Sequence, residues 1–342
     1  MHTLLLIPAY KPDARMVTLC RELRDAGFDV LLVDDGSGDS FHPVFEQAKA
    51  LGCHVERHAV NLGKGRALKT GINAALNMYE HLSGVITADA DGQHTCADIL
   101  RIAAAMEKRP NALVMGMRRF TGNVPFKSRA GNAITRHVYR FVTGVRCHDT
   151  QTGLRGIPAS ALGSMLQLPG ERYEYEMTML LRLRDLRLSL YEMEIETIYI
   201  DDNKGSHFHP LRDAARIYSV ILRFLLSSIL SFGLDYTLYL FCLGTLGFSP
   251  WLCYTVARIA SSLFNYQLNR MTVFSGRGGR LSIVKYYLLA TCQLAMGAAL
   301  VELLHLTLHL NAAWVKIPVD AALFLASYVL QRDFVFGERS VQ

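Results

Sequence analysis

"GVITADADGQH", residues 84–94, decides how the N-terminal half of this chain is read. The short apolar run Gly84-Val85-Ile86 looks like a buried strand. It ends in "TADADGQH", where two carboxylates, a carboxamide and an imidazole share eight positions. Asp89 and Asp91 are two apart, so in extended chain they project to one side, and Gln93 falls on the same side. Like charges this close raise each other's pKa unless a cation sits between them. Hard oxygen donors of this kind suit Mg²⁺ or Mn²⁺, and a cation with few protein ligands completes its shell with phosphate oxygens. An acidic surface turn is the plain alternative for D-x-D alone; the surrounding sequence favours the metal.

Outward from this stretch, strand and helix signals alternate. Strands are expected at Thr3–Pro8, Asp29–Val33, His54–His58 and Val85–Ala88, and helices at Met16–Ala26, Phe41–Leu51 and Ala67–Tyr79. Such alternation with short links implies a parallel sheet covered on both faces. Ligands then sit at the carboxyl ends of the strands, where "PAY" (8–10), "DDGS" (34–37) and "DADGQ" (89–93) would converge. In "VDDGSGDS" (33–40), Asp34 and Asp35 can accept hydrogen bonds from a base N–H or a ribose hydroxyl, and an ordinary Asp-Gly turn is the alternative. "NLGKGRALKTG" (61–71) offers Gly63, Gly65, Lys64, Arg66 and a helix N-terminus, a candidate pyrophosphate cradle. It is not a Walker A loop, because Leu68 stands where the second glycine belongs.

The 342 residues leave room for about two domains, and the composition is uneven. Hydrophobic residues make up 51% and charged residues 19%, with long apolar stretches from about Leu222 onward. The net charge of +6 suits anionic substrates or lipid headgroups. No aromatic-rich basic module points to nucleic acid. Seven scattered cysteines without a C-x-x-C pair argue against a zinc site or a disulfide framework. The opening "MHTLLLIPAYKPD" does not read as a signal peptide, since its apolar run is short and Pro8 breaks it.

Membrane spans are expected near 222–246, 251–269, 285–308 and 313–331, each close to the ~20 residues that cross a hydrocarbon core. Arg270, Arg277, Arg280 and Lys285 crowd the middle loop, and Arg332 and Arg339 follow the last span, whereas loops 247–250 and 309–312 carry no Lys or Arg. The positive-inside rule then places both termini and the first domain in the cytoplasm, in an integral, multi-pass membrane protein. "YQLNRMTVF" (266–274) and "YVLQRDFVF" (328–336) match at Tyr, Leu, Arg, Val and Phe at one constant offset. This implies a duplicated helical hairpin; chance likeness of two apolar helices is the alternative. Asp235, Arg258, Glu302, Lys316 and Asp320 fall inside the spans, where charge is costly unless paired.

Taken in order, "IPAY" (7–10), "VDDGSGD" (33–39), "NLGKGRAL" (61–68) and "DADGQH" (89–94) resemble glycosyltransferase family 2, in its dolichol-phosphate mannose synthase branch of polyprenyl-phosphate sugar synthases. The resemblance runs on through "DTQTGLRGI" (149–157), "GERYEYEM" (170–177) and "NKGSHF" (203–208). The tail is similar to the GtrA-like four-span domain. The resemblance implies an α/β GT-A domain (Rossmann-like, nucleotide-diphospho-sugar transferase) over 1–208. An interfacial amphipathic helix over 209–223 and an all-α four-helix transmembrane domain over 224–342 would follow.

Carried over by position, Pro8, Tyr10, Asp34 and Asp35 would hold base and ribose. Asp89, Ala90 and Asp91 would line the donor, and Asp89, Asp91 and Gln93 would hold the metal against the diphosphate. Arg118 and Arg129 would take the acceptor phosphate, and Lys204 and Ser206 would neutralise phosphate charge. Lys11 and Pro12 depart from the family's usual Asn-Glu in the first loop. Glu174 and Glu176 either hold sugar hydroxyls or cap a helix.

The expected reaction moves a single sugar, with inversion, from a nucleotide-sugar to dolichyl or polyprenyl phosphate, needing no general base because the acceptor is already ionised. GDP-mannose is the favoured donor and UDP-glucose the next. The acceptor's charge is matched by the stretch between Glu107 and Asp149, which has no acidic residue. There, in a helix over Lys127–Val142, Arg129, Arg136 and Arg140 share a face opposite Ile134, Val138, Phe141 and Val142. Such a helix lies on a membrane surface or packs its apolar face on the sheet. A processive polysaccharide synthase is disfavoured, because no Q-x-x-R-W motif surrounds Trp251 or Trp314. A lipid-linked sugar flippase whose soluble domain is a sensor is the reading from another class. A four-helix bundle this small also leaves surface for contacts in a homo-oligomer.

Overall fold

The computed structural model describes residues 2–118, 126–196, 210–245, 250–274, 281–308 and 312–337. The chain divides into two compact units, Met1–Arg140 with Val145–Ile217, and Phe141–Gly144 with Tyr218–Gln342.

The first unit is built on β1 (His2–Ala9), β2 (Asp29–Asp34), β3 (His54–Arg57), β4 (Leu82–Thr87), β5 (Ala112–Arg118), β6 (Arg155–Pro158) and β7 (Ser189–Ile195). Its helices are α1 (Ala14–Asp25), α2 (His42–Ala50), α3 (Lys64–Met78), α4 (Cys96–Lys108), α5 (Phe126–Thr143), α6 (Ala159–Leu166) and α7 (Glu174–Leu181). The sheet order is β3-β2-β1-β4-β6-β5-β7. Leu4 to Ile7 of β1 are fully buried at the centre, as expected for a strand covered on both faces.

The four strands expected from sequence, β1 to β4, pair in parallel, and one strand that was not expected departs from them. β6 runs antiparallel to both β4 and β5, which makes the sheet mixed. "RGIP" is four residues long and ends in proline, so it carries no alternation or apolar run by which to be read as a strand. It fits because its neighbours give way: a Cβ on Gly84 would collide with the Ile157 carbonyl, and one on Gly156 with Met106. Backbone approach of this kind is what glycine inside a strand signals.

β1 lies between β2 and β4, so the strand order reverses there, the usual place for a ligand crevice. The ladder carries acidic residues to that edge. Ala9 pairs with Asp34 and Leu6 with Thr87. The amides of Asp35 and Ala88 extend the pairing by bonding Ala9 O (2.8 Å) and Leu6 O (3.1 Å). In α5 the buried line is Thr135, Tyr139 and Val142, with Arg140 exposed. This differs from the apolar face read from sequence, because Tyr139 goes fully inside and its hydroxyl finds the Leu180 carbonyl at 3.0 Å.

The second unit holds α8 (Pro210–Gly244, whose first residues belong to the first unit), α9 (Pro250–Leu268), α10 (Ser282–Leu308) and α11 (Ala312–Leu330). The amphipathic stretch expected at 209–223 and the first expected span are one unbroken helix. Among the described residues, Ser219–Cys242 is the one segment long and apolar enough by itself to cross a membrane.

The repeat seen in sequence is a structural duplication. α9 and α11 each end in a π-helical turn, Asn269–Val273 and Gln331–Val335, closed by Phe274 N to Asn269 O (2.9 Å) and Phe336 N to Gln331 O (2.8 Å). Contacts are reciprocal. Tyr266 stacks on Phe336 at 5.6 Å and Tyr328 on Phe274 at 5.8 Å, while Tyr286 meets Tyr266 edge-on as Phe224 meets Tyr328. Equivalent residues meet each other at the centre, Phe274 with Phe336 at 4.6 Å and buried Asn269 with buried Gln331 at 3.2 Å. Residue i meeting j where j's equivalent meets i's is the mark of a two-fold relation.

Phe336→Ala is expected to cost about 3–5 kcal/mol. A double-mutant cycle with Phe274→Ala, followed by unfolding of the full chain in detergent, should show a coupling of about 0.5–1.5 kcal/mol. Strictly additive losses would contradict the stacking.

Candidate functional site

Asp89 follows β4 directly and is held from several sides. Thr87 Oγ1 donates to the Gly153 carbonyl at 2.8 Å, which ties loop 149–154 beside the strand. A Cβ on Gly153 would collide with the Asp89 carboxylate, so the glycine leaves room for the acid. Lys64, the first residue of α3, places its ammonium 2.6 Å from Asp89 Oδ1 and 3.0 Å from Glu176 Oε2. Arg155 of β6 is fully buried, with Nε 4.0 Å from Glu176 Oε1, and donates to the Thr152 carbonyl at 3.0 Å and the Glu176 carbonyl at 2.7 Å. His94 Nε2 lies 3.5 Å from Asp89 Oδ2. Buried polar atoms left without a hydrogen bond include both ring nitrogens of His94, Arg155 Nη2 and Gln151 Nε2. Such orphans are costly unless a ligand completes them.

The electrostatics follow from this packing. Burial by itself would raise the Asp89 carboxyl pKa, but the Lys64 charge and the His94 contact hold it well below the usual carboxylate range. Asp91 is pushed up, first by burial and then by the negative charge of Asp89. Burial disfavours the charged Lys64, yet Asp89 and Glu176 together hold its ammonium firmly protonated. Asp91 Oδ1 accepts from the Gln93 amide at 3.0 Å, around Gly92 at φ +76°. No three His, Cys, Asp or Glu side chains converge as an all-protein metal cage among the described residues. Two carboxylates that repel each other, with a neighbouring carboxamide, are instead an oxygen donor set that fits Mg²⁺ or Mn²⁺ with phosphate as co-ligand.

The other expected residues are placed differently. Pro8 is buried within β1, whereas Tyr10, just beyond it, is exposed with the Lys11 ammonium 5.2 Å over its ring. The departure at Lys11 has a conformational side, since its φ is +52° and its amide bonds Ser37 Oγ at 2.9 Å. Asp34 accepts from the Ser37 amide and Arg57 Nε. Asp35 accepts from the amides of Leu62 and Gly63 and contacts His58 Nδ1 at 2.8 Å. Both carboxylates are buried; Asp34 holds the turn after β2 and the end of β3, and Asp35 organises the loop into α3.

The glycines of that loop make room for protein. A Cβ on Gly65 would stand 2.6 Å from Tyr175 Cβ, and the Arg66 amide bonds the Glu171 carbonyl at 2.8 Å. The start of α3 is therefore covered by segment 171–175, and Lys64 reaches past it to the acidic edge. Arg118 is gripped by buried Asp149 through Nε (2.7 Å) and Nη2 (3.1 Å). Glu174 Oε1 accepts from the Glu171 amide at 3.2 Å, so it caps the turn into α7 while Glu176 faces Lys64. Lys204, Ser206 and the Arg129 side chain lie outside the described residues, as do the side chains of Arg258, Glu302, Lys316 and Asp320. Asp235 Oδ1 accepts from Ser261 Oγ at 2.8 Å. Sequence reading gave no role to Arg155 or Glu171; a lone arginine between glycines in "GLRG" carries no signal that it will be buried beside a carboxylate.

Comparison with known proteins assigns both parts of the chain to families. The glycosyl transferase family 2 model matches residues 5–163, and the GtrA/DPMS transmembrane domain model matches residues 223–336. An uncharacterised protein of Methanocaldococcus jannaschii is 30% identical over 202 residues, 57% of this chain and 81% of its own length. The chain belongs to glycosyltransferase family 2. Also similar are the UDP-N-acetylglucosamine–dolichyl-phosphate N-acetylglucosaminyltransferase of Methanococcus voltae, 28% identical over 58% of this chain and 86% of its own, and the undecaprenyl-phosphate 4-deoxy-4-formamido-L-arabinose transferase of an Enterobacter strain, 28% identical over 47% and 50%. This family 2 member is thus a glycosyltransferase and a membrane protein, with a GT-A, Rossmann-like first unit and a helical second one.

In the glycosyltransferase, Lys64→Gln should cost roughly 3 kcal/mol at neutral pH, the low end for a buried pair, because it leaves buried Glu176 and half-buried Asp89 without their counter-charge. Asp89, depressed in the folded wild type, contributes stability above its unfolded pKa of about 4 and loses it as pH falls below that value. In the variant the same carboxyl is raised, so the deficit against wild type should narrow between pH 7 and pH 4. Thermal unfolding across that range checks both; a deficit independent of pH would contradict the pairing.

Proposed function

We propose that this protein transfers one sugar, with inversion, from a nucleotide-sugar to the phosphate of a dolichyl or other polyprenyl lipid. The observation that best supports this is the acidic edge: Asp89 and Asp91 two residues apart just beyond the carboxyl end of β4, in a family 2 chain that continues into a GtrA/DPMS domain. Two relatives whose names specify dolichyl or undecaprenyl phosphate point to the same acceptor class.

In this reading Asp89, Asp91 and Gln93 hold Mg²⁺ or Mn²⁺, which when bound offsets the charge developing on the departing nucleoside diphosphate. Lys64 keeps Asp89 ionised and brings a second positive charge to the same edge. Glu176, fixed between Lys64 and Arg155, orients the donor sugar through its hydroxyls. Tyr10 offers an exposed ring to the base, with Pro8, Asp34 and Asp35 shaping the loops beneath it. Arg118, pre-set by Asp149, receives the acceptor phosphate together with Arg129, and by family resemblance Lys204 and Ser206 would supply charge and a hydroxyl to the donor diphosphate. The acceptor is an anion at neutral pH, so its oxygen attacks the anomeric carbon without a protein base. The transferase unit and both termini face the cytoplasm, where nucleotide-sugars are available.

The donor is chosen from a short panel. Sequence resemblance favours GDP-mannose, then UDP-glucose, and the named relatives add UDP-N-acetylglucosamine. Membranes containing the full chain, given each labelled donor and polyprenyl phosphate, should move label into the lipid phase with one of them. Chelation should stop the reaction and Mn²⁺ or Mg²⁺ restore it. Asp91→Ala should lower the rate at least about a hundredfold, the scale of losing one transition-state charge contact. Undiminished transfer by Asp91→Ala would contradict the assignment. A wild type that moves lipid-linked sugar across the bilayer but forms none would favour the flippase reading.

A further inference from the structure

The duplication in the second unit allows each residue to be compared with its own equivalent, and one pair breaks the symmetry. Arg332 is buried and satisfied: Nε bonds the neighbouring Asp333 at 2.7 Å, and Nη1 bonds the Phe141 carbonyl at the end of α5. Its equivalent, Arg270, occupies the same place in the other π-helical turn. Met271 stands where Arg332 has Asp333. Arg270 makes no hydrogen bond or ion pair among the described residues, and its Nε–H is buried. The Tyr328 hydroxyl donates to the Val142 carbonyl at 3.1 Å, whereas that of Tyr266 is occupied by Ser282 Oγ. Among the described residues, nothing in the first hairpin replaces the carbonyls that Arg332 and Tyr328 find. A buried guanidinium N–H without an acceptor is costly, and its favoured partners are carboxylate and phosphate.

Charge and surroundings narrow the missing partner. The Arg270 turn receives a second guanidinium, since Arg223 of α8 donates to the Thr272 carbonyl at 3.4 Å. The equivalent of Arg223 is Lys285, whose ammonium lies 5.3 Å over the Phe334 ring. The second turn thus balances part of its positive charge with Asp333, while the first, among the described residues, carries two guanidinium groups and no carboxylate. The same elements expose apolar side chains next to those groups: Met271, Leu222 and Leu226 are 64%, 54% and 47% exposed. Two cationic side chains at one turn, with exposed aliphatic side chains on the same elements, fit an anion that carries a hydrocarbon tail.

We infer that Arg270, with Arg223, binds the phosphate of a membrane lipid in the second unit. The inference goes beyond sugar transfer and does not rest on it. A phospholipid and a polyprenyl phosphate offer the same chemistry, and the test separates them from free phosphate. The purified full chain in detergent is titrated with phosphatidylglycerol, decaprenyl phosphate, inorganic phosphate and uncharged diacylglycerol, and bound lipid is counted by native mass spectrometry.

One phosphatidylglycerol per chain is expected and no diacylglycerol, and decaprenyl phosphate, which the acceptor site also takes, should lose one bound copy per chain when Arg270 is replaced. Arg270→Gln should weaken retention about ten- to a hundredfold, the scale of one charge-assisted bond. Met271→Asp gives Arg270 the neighbouring carboxylate that Arg332 has, so it should weaken retention similarly without lowering the melting temperature. That variant decides the matter if Arg270→Gln does not fold. Retention that falls in both variants, for one lipid or for both, supports the site and states its breadth. Equal retention by wild type and both variants would overturn it. Binding of inorganic phosphate as tight as that of the lipids would overturn the assignment to a lipid.

Discussion

One ammonium group ties together the working edge of the first unit. Lys64 stands at the start of α3, Asp89 at the end of β4 and Glu176 in the first turn of α7, and the lysine contacts both acids within 3.0 Å. Removing it would leave like charges facing each other in a poorly solvated place, so three elements depend on a single cation for their arrangement. The cover over α3 serves the same end. Gly65 lets Tyr175 approach, Glu171 receives the Arg66 amide, and this packing aims Lys64 at the acids. Asp91 is left outside the pairing: among the described residues its one hydrogen bond is from the Gln93 amide, and the Asp89 charge opposes its ionisation. A second cation therefore has a reason to enter beside Asp91, and the unbonded nitrogens of His94, Arg155 and Gln151 add donors that a charged ligand would satisfy.

The frame of the first unit was legible because its signals are local. Apolar runs mark β1, β2 and β4, and the acids that follow them fall at the carboxyl edge by register alone. β6 was not legible, since its four residues take their direction from the neighbours they join. The roles within "VDDGSGD" and "NLGKGRAL" show the same limit. Composition shows carboxylates and glycines near a helix start but cannot show that Asp35 serves the loop amides, or that protein fills the space the glycines open. The choice left open for Glu174 and Glu176 separates by helical geometry. Two residues apart on α7 they point apart, one to the cap and one to Lys64.

The second unit was legible in outline for a different reason. A repeat preserves its register, so matching Tyr, Arg, Val and Phe predicted equivalent places, and the stacked Phe274–Phe336 pair and the Asn269–Gln331 bond lie where the two copies meet. The π-helical turns were not predictable from apolar periodicity. Two-fold packing of this kind fixes the helix ends rigidly through aromatic contacts, and it leaves differences between the copies as the places where function can enter.

The central claim is that Asp89 and Asp91 hold a divalent cation jointly with the diphosphate of the donor. Manganese binding to the full chain, followed by the loss of the free-ion electron paramagnetic resonance signal with and without nucleoside diphosphate, tests it without catalysis. The account predicts one ion per chain, bound more tightly by about tenfold or more when the nucleotide is present, and release of that ion in Asp91→Asn. Manganese held equally well by Asp91→Asn, or bound with no response to nucleotide, would contradict it.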